Sequence, residues 1–496
     1  MDKNLYEIEA KGPKHLGDTT TYVALSGPPE LIPIKDKFIE IFNREKWFNK
    51  GFLAKRLFTD LCFDMNKMKD EIICCRMFFY PKIHKPTLSF RPLCSSPGTI
   101  TYLTSKYLAY ELQCILRLVP SACRNSADII LELEKTILPN DGVLLSADIV
   151  NMYPSIDIIE GIQSMRWTLL HFKFHIEHVT FLTNLAGWVL RNNFVKFGNK
   201  FYKQIKGVAM GTPFAVAFAS MHIFHIETIS FNILMSSPNY VMNSIRIFKR
   251  YIDDFFMWIK NHEIAIEFMK ILNSQRNSIK IEYQIDNTSV NFLDITIFKG
   301  SRFANDNILD SKAFEKPLNN HLFLPPISFH LPSIFDSWIG EYINRFRLIC
   351  SNELDFIESC KQFRLQLIAR GYDPIRLGDS LQPSKSRELL LHRTQTNHSK
   401  WINNHLEPTD GVLPPSVRFH LTYDKNTAAN LQLIKEALQP SNTYKKALDV
   451  TSRCILGDGP SINLSISNAQ NLRKLLVSNT FTSPDEEGYD EEEEND

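Results

Sequence analysis

The 496-residue sequence predicts an α+β fold, with helices packed on one face of an antiparallel sheet. Three observations carry that expectation. The middle third runs through strand-like and helix-like stretches in a β-α-β-β order. Both flanks repeat apolar residues at helical spacing. The stretch from Ile245 to Lys260, IRIFKRYIDDFFMWIK, is apolar on either side of two adjacent aspartates, as a strand, tight turn and strand would be. With 44% hydrophobic and 11% aromatic residues, the chain can bury a sizeable core spread over roughly two to four packed units.

Taken in order, FIEIFNREKWF and LFTDLCFDMNKM, from Phe38 to about Met77, have helical periodicity and predict a helical entry to the fold. From Met77 to Thr99, prolines at 81, 86, 92 and 97 separate short β-prone pieces, which reads as an extended hairpin carrying Lys82, Lys85 and Arg91. A helix is expected from Tyr102 to Leu118. DGVLLSADIVNMYPSI, from Asp141 to Ile156, reads as a turn, a buried strand and a break at Pro154. Ile158 to Arg191 reads as helical, and KFGNKFYKQIKG as a hairpin turning at Gly198-Asn199. After the aspartate hairpin come a helix at about Glu263 to Gln275, then strands in IKIEYQI and VNFLDITIF. Beyond Gly300 the chain is expected to be helical, notably from Ile334 to Arg370.

Nine cysteines, two of them adjacent and none spaced C-x-x-C, support neither a disulfide framework nor a zinc domain. The thiols are read as reduced and the compartment as intracellular. MDKNLYEIEA mixes both charge signs and lacks the basic-then-apolar order of a secretory leader. Gly207 to Ile226 carries no charge, yet its Gly, Pro, Ser, Thr and His content reads as a buried loop and helix, so no membrane partner is expected. The net charge of +1 conceals an acidic tail, Asp485 to Asp496, with nine acidic residues and no basic one. Without it 56 basic residues face 46 acidic ones, a balance of +10 compatible with a phosphate backbone as partner. The tail itself is expected to be disordered.

Transfer of a nucleotide to a hydroxyl needs two divalent cations about 4 Å apart, and hard cations need carboxylate oxygens. Adjacent aspartates at a hairpin tip, joined by an aspartate ending a neighbouring strand, would supply them. Asp253-Asp254 and Asp148 fit if their segments are neighbouring strands. By itself an Asp-Asp pair in an apolar run is more often a polar turn. The context is YIDD in an apolar run, with a second apolar strand bearing Asp148 upstream and a glycine-containing segment between.

DIVNMY (148 to 153), GVAMGTP (207 to 213) and YIDD (251 to 254) together resemble the palm of reverse transcriptases. More narrowly, PKIHK with a following RPL, AMGTP, RYIDDFFMWI, NFLDITI, KAFEKPLNNHLFLPPISFH, RFRLICS and ARGY resemble the reverse transcriptases of Penelope-like retroelements, collinearly from Phe79 to Tyr372. The resemblance implies a right-hand architecture. Its parts are a helical N-terminal region (1–78), fingers (79–145), a palm with the YxDD hairpin (146–300) and a helical thumb (301–400). A C-terminal extension (401–484) and the acidic tail (485–496) follow. It implies RNA-templated DNA synthesis with two Mg²⁺ per site, Mn²⁺ substituting, on an RNA template, a DNA primer and dNTPs, in the nucleus.

The same resemblance implies residue roles. Asp148, Asp253 and Asp254 would hold the metal ions, joined by the Ile149 carbonyl. Lys82, Arg91, Tyr153, Gln204, Met210 and Gly211 would meet the incoming nucleotide, with Tyr153 under the sugar excluding a 2′-hydroxyl and Arg91 suited to bidentate phosphate contact. Gly207, Gly211, Thr212, Tyr251, Phe292, Leu293, Lys316 and Arg345 would meet template or primer. Arg347 and Arg364 would join Lys316 and Arg345 along the duplex backbone. The chain departs from the pattern at Ala215-Val216, where relatives carry Ser-Pro, and after Tyr372, where no paired G-I-Y and Y-I-G endonuclease elements occur.

An RNA-dependent RNA polymerase shares the palm and the Asp-Asp turn but usually carries an acidic residue four or five positions after the first aspartate, where this chain has Met152 and Tyr153. A telomerase subunit would need more than the 78 or so residues before the fingers. A non-catalytic nucleic-acid-binding derivative of a retroelement would keep the fold without needing the carboxylates.

Overall fold

The computed structural model describes residues 3–44, 52–67, 73–82, 89–238, 243–328, 330, 332–375, 377–381, 383–403, 416–423 and 461–468. Lys85, the acidic tail and most of the stretch beyond 403 lie outside these residues.

In chain order α1 (Lys3–Lys11), β1 (Tyr22–Leu25), α2 (Leu31–Arg44) and α3 (Phe52–Lys67) precede β2 (Cys75–Pro81) and β3 (Phe90–Ser95). Then come α4 (Tyr102–Leu112), α5 (Ile115–Leu118), α6 (Ser126–Lys135), β4 (Val143–Ile149), α7 (Met152–Ser155), α8 (Ile158–His171) and α9 (Ile176–Arg191). β5 (Phe194–Phe197), β6 (Lys200–Gln204), α10 (Ala215–Met235), β7 (Ile245–Tyr251), β8 (Asp254–Ile259) and α11 (His262–Ser274) follow. The chain continues through β9 (Ile281–Asp286), β10 (Ser289–Phe292), β11 (Ile295–Phe298), α12 (Ser301–Asp306) and β12 (Asp310–Ala313). Its last elements are α13 (Pro332–Ile349), α14 (Glu353–Ala369), α15 (Leu377–Ser380), α16 (Arg387–Asn403), β13 (Ser416–Tyr423) and β14 (Ser461–Asn468).

The chain divides into two compact units, one of Met1–His321, Ile343–Leu365 and Pro383–Leu406, the other of Leu322–Tyr342, Gln366–Gln382 and Glu407–Asp496. The first holds a four-stranded sheet in the order β7-β8-β4-β9 in which every neighbouring pair is antiparallel. Alternation along the strands sorts its two faces. Val143, Leu145 and Ala147 of β4 lie opposite Ile259, Met257 and Phe255 of β8 and Ile149 opposite Ile281 of β9, all buried in the core that α8, α10 and α11 complete. Each such phenylalanine, methionine or isoleucine stabilises the fold by about 1.5–3 kcal/mol through loss of apolar surface to water. Phe231 of α10 and Phe268 of α11 meet Phe248 of β7 edge-on, with ring centroids 4.9 and 5.8 Å away. The opposite face carries Ser146, Asp148, Asp254, Glu282 and Gln284. Helix starts are marked by side-chain caps: Asn125 for α6, Asp157 for α8 and Asn261 for α11 each accept from backbone N–H groups of the first turn.

A five-stranded sheet in the order β1-β6-β5-β2-β3 lies in the same unit. The segment 1–78, read as helical, therefore also contributes an edge strand. β1 pairs antiparallel with β6, and the Phe79 N–H of β2 donates to the Tyr6 hydroxyl at 2.9 Å. Four residues, YVAL, are too few to display a strand period, so only the partner strand reveals them. The helix expected from Tyr102 to Leu118 breaks at Gln113-Cys114 into α4 and α5. β10, β11 and β12 form a third antiparallel sheet, so the region beyond Gly300 has a strand, Asp310–Ala313, between the short helix α12 and the helices that follow. Gly207–Ile226 forms a loop and the first half of α10; among the described residues no helix is long and apolar enough to cross a membrane.

In the second unit Phe323, Trp338, Tyr342 and Tyr372 form an aromatic cluster. The Arg370 Nε donates to the Phe323 carbonyl at 2.8 Å and the Tyr372 hydroxyl to the Leu324 carbonyl at 2.7 Å, pinning the 322–326 segment. β13 and β14 pair in parallel.

Candidate active site

β4 and β8 are neighbours, and their register sets Asp148 directly opposite Asp254. Directly opposed residues of an antiparallel pair have Cβ atoms about 5 Å apart and point to the same face. On the other side of β4 the partner of Asp148 is Glu282 of β9. A row of three carboxylates, Asp254, Asp148 and Glu282, thus crosses the sheet on the face away from the helices. Asp253 enters from the turn, where its carbonyl accepts the Ile149 N–H at 3.1 Å and fixes the tip of the hairpin against the end of β4.

The turn is tight. Tyr251 pairs with Asp254, leaving only Ile252 and Asp253 to reverse the chain, and Ile252 adopts a left-handed backbone with φ of 56°. Two-residue hairpin turns usually place Gly, Asn or Asp at such positions; for a β-branched residue the conformation costs about 1–2 kcal/mol and persists only where surroundings hold it. The β10-β11 hairpin repeats the arrangement, with Leu293 at φ 56° followed by Asp294.

Burial pushes the Asp254 carboxyl up to about 7, with further increments from Asp253 and Asp148, while Lys316 opposes them. Burial likewise raises Asp253, against the pull of Arg91, Lys316 and Arg250. Burial is the main influence on both, with Asp253 and Asp148 adding to it at Asp254, and paired carboxylates are a donor set that fits hard divalent cations. Among the described residues no group of three or more His, Cys, Asp and Glu side chains is arranged to hold an ion by itself. Asp148, Asp254, Glu282, Gln284, Asn291 and Phe292 line a cleft of about 310 Å³.

Tyr153 stands on α7, half-buried, its hydroxyl pushed up to about 12 by burial and then by Asp253 and Tyr251, with Arg91 opposing. These interactions bring Tyr153, Tyr251, Asp253 and Arg91 together. Arg91 lies on β3 opposite Tyr80 and is exposed. The charge of Lys82 is felt by His15 of the N-terminal segment.

The Gly207–Pro213 loop binds α7 to β3. At Gly207, φ 78°, an added Cβ would stand 2.6 Å from Pro154 Cα; at Gly211, φ 101°, it would stand 2.4 Å from the Cys94 carbonyl oxygen. The Val208 N–H donates to the Tyr153 carbonyl at 2.8 Å, and the Cys94 N–H to the Met210 carbonyl at 2.8 Å. The close approach that these glycines permit is thus to the protein's own backbone, where the sequence reading had template or nucleotide. Met210 and Thr212 are half-buried in the same loop.

Gln204 is a correction. Its side chain is 2% exposed, its Oε1 accepts from Asn193 at 2.6 Å and its Nε2 donates to the Lys206 carbonyl at 2.9 Å, so it is spent inside the five-stranded sheet. Phe292 is also buried, 6.1 Å from Phe256 between ring centroids, and supports the cleft from below. Lys316 is exposed and within the field of the aspartates. Arg345 is tied to Asp294 and to the Ser126 hydroxyl, and Arg347 to Glu353 at 2.8 Å, so both are engaged within the protein.

Three residues went unnoticed in the sequence. Glu282 was hidden because cross-strand register is not written in one strand. Arg250, 1% exposed in an apolar strand, and Glu227, 2% exposed and the first charge after twenty uncharged residues, form a buried pair at 2.5 Å. At Glu227 the available signal was a lone acidic residue in an apolar segment, whereas Arg250 stands beside Arg246 and Lys249 and had none.

One family model, the animal helix-turn-helix domain, matches residues 322–379. No curated protein matches the chain. Similar solved structures include a telomerase from Candida albicans in complex with a fragment of telomeric RNA, at 11% identity and a TM-score of 0.45, over 78% of this chain and 67% of that one. Another is an apo telomerase from Candida tropicalis, at 12% identity and 0.38, over 67% and 62%. A third is the RNA-dependent RNA polymerase of a human picorbirnavirus, at 11% identity and 0.45, over 67% and 64%. The chain spans about two thirds or less of the length of these structures.

Proposed function

We propose that the chain is a template-directed nucleic-acid polymerase, an RNA-directed DNA polymerase of a Penelope-like retroelement, acting in the nucleus. The observation that carries the reading is the register of Asp148 opposite Asp254 beside a strained Asp-Asp turn. Two strands far apart in sequence deliver their carboxylates to one point, which a polar turn would not require.

In this reading Asp148, Asp253 and Asp254, with the Ile149 carbonyl, hold two Mg²⁺ or Mn²⁺ ions. When bound, the ions activate the primer 3′-hydroxyl and neutralise the leaving pyrophosphate. Arg91, with Lys82, binds and orients the triphosphate, a guanidinium meeting two phosphate oxygens at once, and Lys316 meets the backbone of the primer or template. Tyr153 packs under the incoming sugar and leaves no room for a 2′-hydroxyl. The Gly207–Pro213 loop keeps Tyr153 and the Arg91 strand at fixed separation. The cleft beside Asp148 receives the end of the primer, and no side chain at the site is assigned as general base. Residues 79–145 act as fingers, 146–300 as palm and 301–400 as thumb, the last overlapping the helix-turn-helix match and gripping the RNA template and DNA primer.

Primer extension by the full-length protein on an RNA template with Mg²⁺, comparing dNTPs and rNTPs, tests this. Metal-dependent dNTP addition is expected, and Asp253→Asn should lower it more than about 100-fold while leaving the fold intact. Extension with rNTPs alone would transfer the case to an RNA polymerase. Duplex binding with no extension under any metal would leave a non-catalytic nucleic-acid-binding protein.

A further inference from the structure

We propose that Arg250, braced by Glu227, is the positioning residue that holds the aspartate turn in its left-handed form. The inference rests on the reading of Asp253 and Asp254 as the metal-holding pair. Arg250 closes β7 one residue before Tyr251, and its guanidinium points to the helix face of the sheet rather than toward the carboxylates. Its Nε donates to Glu227 Oε1 of α10 at 2.5 Å, Nη2 to the Ser220 carbonyl at 3.2 Å, and Nη1 to the Ser220 hydroxyl at 3.2 Å. Nη1 also donates to the carbonyl of Ile252 at 3.1 Å. That last contact ties the guanidinium to the one residue of the turn whose backbone is strained.

The brace is itself fixed on every side. Glu227 Oε2 accepts from the Ser121 hydroxyl at 2.6 Å, the Arg250 N–H donates to the Ser121 carbonyl at 2.6 Å, and the Cys123 N–H to the Arg250 carbonyl at 2.9 Å. A desolvated ion pair adds little net stability when a hydrophobic pair of similar volume would serve as well. What a planar, five-donor fork supplies that leucine cannot is directional hold on a carbonyl. The consequence is that Asp253 and Asp254 keep their places without relying on a glycine or asparagine at position 252.

Hydrogen exchange by mass spectrometry on the full-length chain reads the hold directly, because the Ile149 N–H donates to the Asp253 carbonyl. In Arg250→Lys, exchange at 149–151 and 251–255 should quicken about tenfold while peptides within α8 and α11 keep wild-type rates, the pattern of a local opening. An equal change throughout the unit, or none at the turn, would overturn the proposal and leave a merely structural pair. If Arg250→Lys does not fold, Ser220→Ala, which removes one partner of Nη1, should show the same local pattern more weakly. A cycle with Ile252→Gly gives a second check. Glycine takes a left-handed φ unaided, so Arg250→Lys should cost less in that background than in wild type, and strictly additive effects count against the proposal. In primer extension the half-saturating Mg²⁺ should rise about tenfold in Arg250→Lys with KM for dNTP unchanged. If the wild-type chain extends no primer, the polymerase reading falls, while the exchange pattern still decides whether Arg250 holds the turn.

Discussion

Tyr153 shows how one side chain comes to lie in an electrostatic environment that no neighbour in sequence provides. It sits two residues past Asn151, whose left-handed backbone (φ 49°) turns the chain out of β4 into α7. Gly207 packs on the carbonyl of Tyr153 from the other side. If the ring fills the space beneath the incoming sugar, a smaller side chain opens that space. Tyr153→Val is expected to raise the rate of ribonucleotide incorporation relative to deoxyribonucleotide by about 10- to 100-fold, the difference a lost apolar contact and a removed clash make in a pocket. Competition of rNTP against dNTP in single-nucleotide extension checks it, and an unchanged ratio would return Tyr153 to the role of a core residue at a strand end.

Two helices behind the sheet carry a second polar group with no part in the proposed chemistry. His222 and His225 of α10 both face the Ser164 hydroxyl of α8, each ring nitrogen at 3.0 Å, and Trp167 stacks between His225 and His171. Burial, the nearby Arg276 cation and His225 hold His222 down to about 4, with Asp157 a small opposing influence. The folded state therefore keeps His222 neutral below the usual histidine range, whereas the unfolded chain takes up a proton there. Stability from this group is complete above about pH 6.5 and is lost as pH falls toward 4, amounting to roughly 2 kcal/mol at pH 5. Burial and Arg276 hold His225 down to about 4 as well, so thermal unfolding followed from pH 7 to pH 5 should show a declining midpoint, which His222→Gln should make shallower. A parallel decline in both proteins would assign the pH dependence to other groups.

Over the whole molecule the surplus of basic residues matters through the phosphates it can reach. Lys316 is exposed beside the carboxylates, whereas Arg345 is already committed to Asp294 and Ser126. Affinity for an RNA–DNA duplex should fall with salt, and each phosphate contact adds about 0.9 to the slope of log K against log salt. Lys316→Ala is expected to reduce that slope by about one contact, and Arg345→Ala to leave it nearly unchanged while lowering stability. Fluorescence anisotropy of a labelled duplex across a salt series distinguishes them. Equal slopes for both variants would mean that Arg345 leaves Asp294 when nucleic acid arrives.

By itself the sequence determined the α+β class, the Asp-Asp hairpin, the strand ending at Asp148 and the buried character of Gly207–Ile226, because each is written in local periodicity or in a charge within an apolar run. The hairpin at Gly198-Asn199 was legible for the same reason, since its turn residues are adjacent in the chain. Only the tertiary structure decided that Gln204 is internal, that the glycines approach protein backbone, that β1 joins the five-stranded sheet, and that Glu282 and the Arg250–Glu227 pair adjoin the aspartates. Apart from the short-range bonds of Gln204, these follow from register and packing between segments tens to hundreds of residues apart. A single strand records which side chains alternate, but the partner across the ladder is chosen by the sheet as a whole.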